Sequence, residues 1–151
     1  MPADDVLVRI VETAAEMESC YALRMRVFVD EQGVPPWEEV DDLDETATHF
    51  AAIQDRVVVG TARLVDKGAG HGKIGRVAVE KGARGTGVGR QLMLAILEHS
   101  DNKFDELSLD AQLYVIPFYE QSGFAVEGPV FLDAGIEHRR MTRIISSPPQ
   151  V

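Results

Sequence analysis

Residues 84–90, Arg84-Gly85-Thr86-Gly87-Val88-Gly89-Arg90, form the stretch of this chain best built to hold a charged ligand. An apolar run from Lys73 to Val79 precedes it, and Leu92, Met93, Ile96 and Leu97 follow at helical spacing. That order puts unpaired backbone N–H groups at a helix N-terminus, where the dipole favours an anion. The three glycines let the main chain approach a phosphate with no Cβ in the way. Residues 73–90 also carry five of the fifteen basic residues against one acid, Glu80. In a chain of net charge −10, such a concentration points to a polyphosphate.

Two common phosphate binders are excluded. A P-loop needs Lys and then Ser or Thr after its last glycine, where this chain has Arg90-Gln91. A dinucleotide fingerprint begun at Gly85 needs a glycine at 90. The segment is instead similar to the Arg/Gln-x-x-Gly-x-Gly/Ala signature of the GNAT acyltransferase superfamily, here Arg84 to Gly89. Leu107-Ser108-Leu109-Asp110-Ala111-Gln112, followed by Phe118-Tyr119-Glu120-Gln121-Ser122-Gly123-Phe124, resembles the closing motif of that family. Further upstream, Arg24-Met25-Arg26-Val27-Phe28 and on to Pro35, with Asp41, Asp44 and Ala47-Thr48-His49-Phe50, is similar to the small ElaA-like and YjcF-like bacterial branch. So is Gly135 to Met141, and the likeness spans about residues 7 to 143.

The resemblance implies a mixed, mostly antiparallel α/β sheet of about seven strands with helices on both faces and strands four and five splayed. It further implies an acetyl-coenzyme A-dependent N-acetyltransferase, in which a small primary amine attacks the thioester directly in a ternary complex. By the same resemblance, Val77, Ala78 and Val79, then Arg84 through Arg90, with Gln112, Phe118 and Tyr119, would hold the coenzyme. Gln112 stands where family members commonly have asparagine. Such a reaction needs a donor for the carbonyl oxygen, a base for the amine and an acid for the thiolate. The backbone N–H of Val79, on a strand that loses its partner, suits the first. Tyr119 is the candidate acid. For the base, Glu31, Asp44, His49, Asp110 and His138 stay open, and imidazoles change charge near neutrality. The central strand opens Lys73-Ile74-Gly75 rather than with the glutamate of histone-acetylating members, which argues against that class.

Residues 30–45 hold eight acids and no base, an anionic rim suited to drawing in a cationic amine, or simply a solvated loop. Arg24 falls on an otherwise apolar helix face and needs a partner, for which Asp41 or Asp44 would serve. Arg24, Glu31, Asp41, Asp44, His49 and His138 are therefore the candidate acceptor-binding residues. Two rival activities share these features: an acyl-homoserine-lactone synthase-like acyltransferase and a non-catalytic acyl-coenzyme A sensor. The acidic total charge disfavours an acyl-carrier protein partner for the first.

The elements that must position these groups read as one domain over residues 1–145, with 146–151 a frayed tail. Val6 to Val11 alternates as a strand, and Thr13 with Glu16 forms a capping box for a helix through Phe28. A hairpin turns at 54–56, and a second turn spans Lys67 to Gly72. The central strand at 73–79 and a helix at 87–99 follow, then a strand at 106–110, a short helix near 115–122 and strands near 124–132 and 136–145. Acidity, with a pI near 4.8, disfavours nucleic acid, and no apolar run spans a membrane. The histidines at 49, 71, 99 and 138 lack metal-ligand spacing, so no metal is expected. Cys20 is the only cysteine, and the first residues lack a signal peptide, so a cytoplasmic protein is the expectation. Dimers are frequent among similar proteins, and the resemblance allows a homodimer.

Overall fold

The computed structural model describes residues 5–145, and the tail expected at 146–151 lies outside them. Seven strands form one sheet in the order β1-β2-β3-β4-β5-β7-β6. β1 (Leu7–Ile10), β2 (Thr48–Gln54), β3 (Val57–Gly68) and β4 (His71–Val79) are antiparallel neighbours. β5 (Glu106–Gln112) is reached through the helix α3 (Val88–Ser100), a crossover long enough for it to pair with β4 in parallel. β7 (Ile136–Ile144) then runs antiparallel to both β5 and the edge strand β6 (Ala125–Asp133). The mixed sheet with parted fourth and fifth strands is the one expected.

Strand alternation divides the core between the two faces. On one side Phe50, Ala52, Leu64 and Ile74 pack with Val88, Leu92, Met93 and Ile96 of α3. On the other, Ala51, Val58 and Ala78 pack with Cys20, Leu23 and Val27. The helix that supplies Cys20 and Leu23, α1 (Ala14–Arg24), starts as expected. Thr13 Oγ1 accepts from Glu16 N–H at 3.1 Å, and Glu16 Oε1 accepts from Thr13 N–H at 3.2 Å.

Three expectations are corrected. Beyond Arg24 the helix widens into a π-helix, Met25–Glu31, a departure that helical spacing alone does not signal. Residues 30–45 are not an irregular solvated loop. They hold α2 (Pro36–Glu39) and a 3₁₀ turn, Asp42–Glu45, capped by Asp41. The turn after β3 is also tighter than Lys67 to Gly72, because Ala69 (φ 54°) and Gly70 (φ 78°) complete it as a left-handed pair.

Candidate functional site

β4 and β5 pair only over His71–Ile74 and Glu106–Leu109. Past that point β4 bulges against β3, with Arg76 at φ 53°, while β5 stays with β7. A cavity of about 950 Å³ opens there, walled by residues 75–79 of one strand and 109–112 of the other. Glu80 N–H bonds Val59 O at 2.8 Å, so alternation turns the backbone groups of Val79 the other way, toward the gap. The Val79 carbonyl confirms that direction, since it accepts from Arg84 Nε at 2.9 Å. Its N–H therefore faces the space that β5 has left. Val77 lines the cavity with it, and Ala78 lines the cavity while burying its methyl in the α1 side of the core.

The glycine-rich loop lies at the end of the same cavity. Gly87, at φ 99°, is the N-cap of α3, a conformation a side chain would strain. The first bond of the helix is Gln91 N–H to Gly87 O at 3.0 Å, so the N–H groups of Val88, Gly89 and Arg90 lie at its open end. A Cβ on Gly89 would sit 3.1 Å from the Phe118 ring, so glycine is what lets that ring close on the helix start. Thr86 Oγ1 donates to Ala83 O at 2.6 Å and fixes the loop. Val88 contributes only main chain, since its side chain is buried in the core. The Arg84 side chain is engaged as well, with Glu31 at 2.8 Å in addition to the Val79 carbonyl. Loop and helix end thus present backbone donors and the cation of Arg90 to the cavity, a fit for a diphosphate.

Tyr119 comes from α4 (Ile116–Gln121) and is 8% exposed, edge-on to Phe118 and Phe124. It lines the cavity, and burial pushes its phenol well above the ordinary tyrosine range, so it stays protonated. His138 enters from β7, stacked on Phe131. Its Nδ1–H donates to Ile136 O at 2.7 Å, which leaves Nε2 as the lone-pair nitrogen. Asp110 lines the cavity but is held by Lys73 at 3.0 Å and Arg140 at 2.6 Å. Burial raises its pKa, and the two cations outweigh that and lower it. Gln112 donates to Gln32 at 2.9 Å, tying the end of β5 to the chain just after the π-helix.

The structure separates Arg24, Asp41, Asp44 and His49 from the cavity wall. Arg24 is wholly buried, giving Nε to Glu39 at 2.7 Å and its two terminal nitrogens to Asp44 at 2.8 and 3.0 Å. Arg63 grips Asp41 at 2.6 and 2.9 Å and Asp44 at 2.9 Å, while Arg76 donates to the carbonyls of Glu38 and Glu39. Burial raises the Asp44 pKa, but the hydrogen bonds and charges of Arg24 and Arg63 prevail and hold it at about 2. His49 Nε2–H donates to Asp44 O at 2.8 Å. The acidic segment is thus stapled inward across β3 and β4, and Arg24 takes Glu39 as well as Asp44. Glu39, Arg63, Arg76, Phe28 and Gln32 reach the cavity and were not anticipated. The one sequence hint was a lone arginine at 63, between Ala62 and Leu64 in an apolar strand.

The comparisons with known proteins bear on the family and the fold. The family model described as an acetyltransferase (GNAT) domain matches residues 14–145. An uncharacterized N-acetyltransferase of Bacillus subtilis, YjcF, is 35% identical over 136 residues, covering 89% of this chain and 96% of that protein. An acyl-CoA N-acyltransferase from Pseudomonas aeruginosa superposes with TM-score 0.81 at 33% identity, covering 92% and 98% of the two chains. Escherichia coli ElaA superposes with TM-score 0.82 at 28% identity, covering 91% and 99%. By the family model and these relatives, the chain belongs to the GNAT acyltransferases, in the company of YjcF and ElaA.

Proposed function

We propose that this enzyme acetylates the primary amine of a small molecule, the amine attacking acetyl-coenzyme A directly while both are bound. The observation that carries the reading is the convergence on one cavity of the α3 N-terminus, the outward-facing Val79 N–H and protonated Tyr119. The α3 amides and Arg90 would hold the diphosphate. Val79 N–H would donate to the carbonyl oxygen as negative charge develops there. Tyr119 would donate to the departing sulfur. Of the five candidate bases His138 is the best supported, because Nε2 is free to accept a proton while Asp110 and Glu31 are ion-paired. Asp44 and His49 are spent within the arginine cluster.

The test is a thiol-release screen over amines, polyamines, amino acids and aminoglycosides. Tyr119→Phe and His138→Gln should each lower kcat about a hundredfold while coenzyme A still binds. A protein that binds acetyl-coenzyme A, turns over no amine and is indifferent to Tyr119→Phe would be a sensor instead.

A further inference from the structure

The sequence suggests an anionic rim for the acceptor, but the folded acids leave a different surface. Glu39, Asp41 and Asp44 are consumed by Arg24, Arg63 and Arg76. What faces the acceptor end of the cavity is the sheet itself. Arg63, Val65 and Lys67 of β3 alternate onto it, with Gly75 and Lys73 of β4 directly opposite the first two. Asp110 must answer both Lys73 and Arg140, and Lys67 adds another cation beside them. Glu38 and Asp133 lie at the rim. In a chain of net charge −10, the charges of this face balance, with Lys67, Lys73 and Arg140 against Asp110, Glu38 and Asp133.

One buried donor is left over there. Arg63 is 6% exposed, its terminal nitrogens are taken by Asp41 and Asp44, and its Nε has no hydrogen-bond partner. A buried N–H without an acceptor is costly, and native sites keep few of them. A Cβ built on Gly75 would lie 3.8 Å from that Nε and within 4 Å of nothing else, so no side chain at 75 stands between the buried donor and the cavity that both residues line. Any side chain at 75 would begin to fill that space.

We propose that the acceptor is an amine that also carries a carboxylate, an amino acid or a compound built on one. Its carboxylate accepts from Arg63 Nε over Gly75, with Lys73 and then Lys67 farther along the same sheet face to favour its charge. The proposal rests on the reading of the cavity as an amine-acceptor site, and it narrows the class of amine. The side-chain donor supplies what a carboxylate takes up, a charge-assisted hydrogen bond, and the two ammonium groups favour its charge.

The experiment is calorimetric titration of the coenzyme A-loaded protein with reaction products. N-acetylglycine, N-acetylglutamate and N-acetylphenylalanine are compared with the N-acetyl amines lacking their carboxylates, and with N-acetylated O-phosphoethanolamine. At least one acid should bind, its decarboxylated counterpart should not, and Lys67→Met and Gly75→Val should each weaken the acid about tenfold. Coenzyme A affinity should match that of the unaltered protein. Equal binding of acid and amine, preference for the phosphate, indifference to both substitutions, or no binding of any acid would each overturn the proposal. In the last case, a water joining Arg63 Nε to Glu39 Oε2, the other buried side-chain polar atom without a partner among the described residues, fills the site. The two readings fail separately. If simple amines release thiol but acids do not bind, only the acceptor class is wrong. If coenzyme A does not bind, the transferase reading falls, and the same titrations on the unloaded protein judge the acid site.

Discussion

The two ends of the cavity hold charge by opposite means. At the acceptor end, three arginines and three carboxylates from α1, β3, β4 and residues 38–45 satisfy one another, with Arg24, Glu39, Asp44 and Arg63 buried and Asp41 and Arg76 partly exposed, and nearly every buried donor is spent. At the loop end the donors are main-chain N–H groups at the start of α3 with the Arg90 cation beside them, and the other side chains around them are engaged elsewhere or buried. A cluster built from side chains depends on every member, because losing one strands a buried charge. A cradle built from backbone depends on conformation and tolerates changes of side chain. The first device therefore organises the fold and keeps Arg63 Nε as its buried donor without a partner, and the second is free to meet a ligand along its whole open end.

The largest effect should come from the first. Arg24→Met would leave buried Glu39 and Asp44 with only Arg76 and Arg63 to answer them and should destabilise the fold by about 3 kcal/mol. Thermal or urea unfolding would measure it. Adding Glu39→Gln and Asp44→Asn should recover part of the loss, since the stranded charges are then gone. A variant with unchanged stability would mean that the cluster is decoration.

Acid should expose the same cluster next. Asp44 has its pKa depressed from 3.8 to about 2, so its stabilisation is fully present above 3.8 and is lost as pH falls toward 2. That group alone contributes about 2 kcal/mol over this window. Unfolding free energies measured between pH 5 and pH 2 should fall by about that amount more in the parent than in Asp44→Asn. Parallel curves would show that the Asp44 carboxylate does not hold the segment.

Much of the loop end was legible and much of the acceptor end was not, for the same reason. Gly85, Gly87 and Gly89 between an apolar strand and a helical repeat are local signals, as are Thr13 with Glu16 and Gly123 before Phe124, because each acts within a few residues. The partners of Arg24 are 15 and 20 residues away, and those of Arg63 about 20. Eight acids with no base between 30 and 45 describe an anionic rim or a solvated loop to a local reading, even where Trp37 and Pro35-Pro36 favour some order. Only the neutralising arginines of β3 and β4 fold it, and strand pairing brings them there. The π-helix was hidden because Met25 to Phe28 continues the apolar spacing of α1.

The backbone end predicts smaller effects of a different kind. Gly87→Ala places a Cβ at φ 99° and should reduce stability by about 1 kcal/mol. Acetyl-coenzyme A affinity should fall more visibly, about tenfold by calorimetry, because the strained N-cap re-aims the amides of Val88, Gly89 and Arg90. Unchanged affinity would remove the cradle from the argument.

Arg84 supplies the sharpest contrast, because by charge alone it should matter most for a diphosphate. Its guanidinium is instead occupied by the Val79 carbonyl at 2.9 Å and by Glu31 at 2.8 Å, and it is 42% exposed. An ion pair so exposed contributes under about 1 kcal/mol. Arg84→Met should therefore change unfolding by less than that and weaken acetyl-coenzyme A by no more than about threefold. The rate should suffer more than the affinity, because the carbonyl of Val79 loses its donor and the adjoining N–H loses its fixed direction into the gap. A hundredfold loss of affinity with the rate intact would mean that the Arg84 charge grips the phosphates and the main-chain cradle does not suffice, and the contrast between the two ends would not survive it.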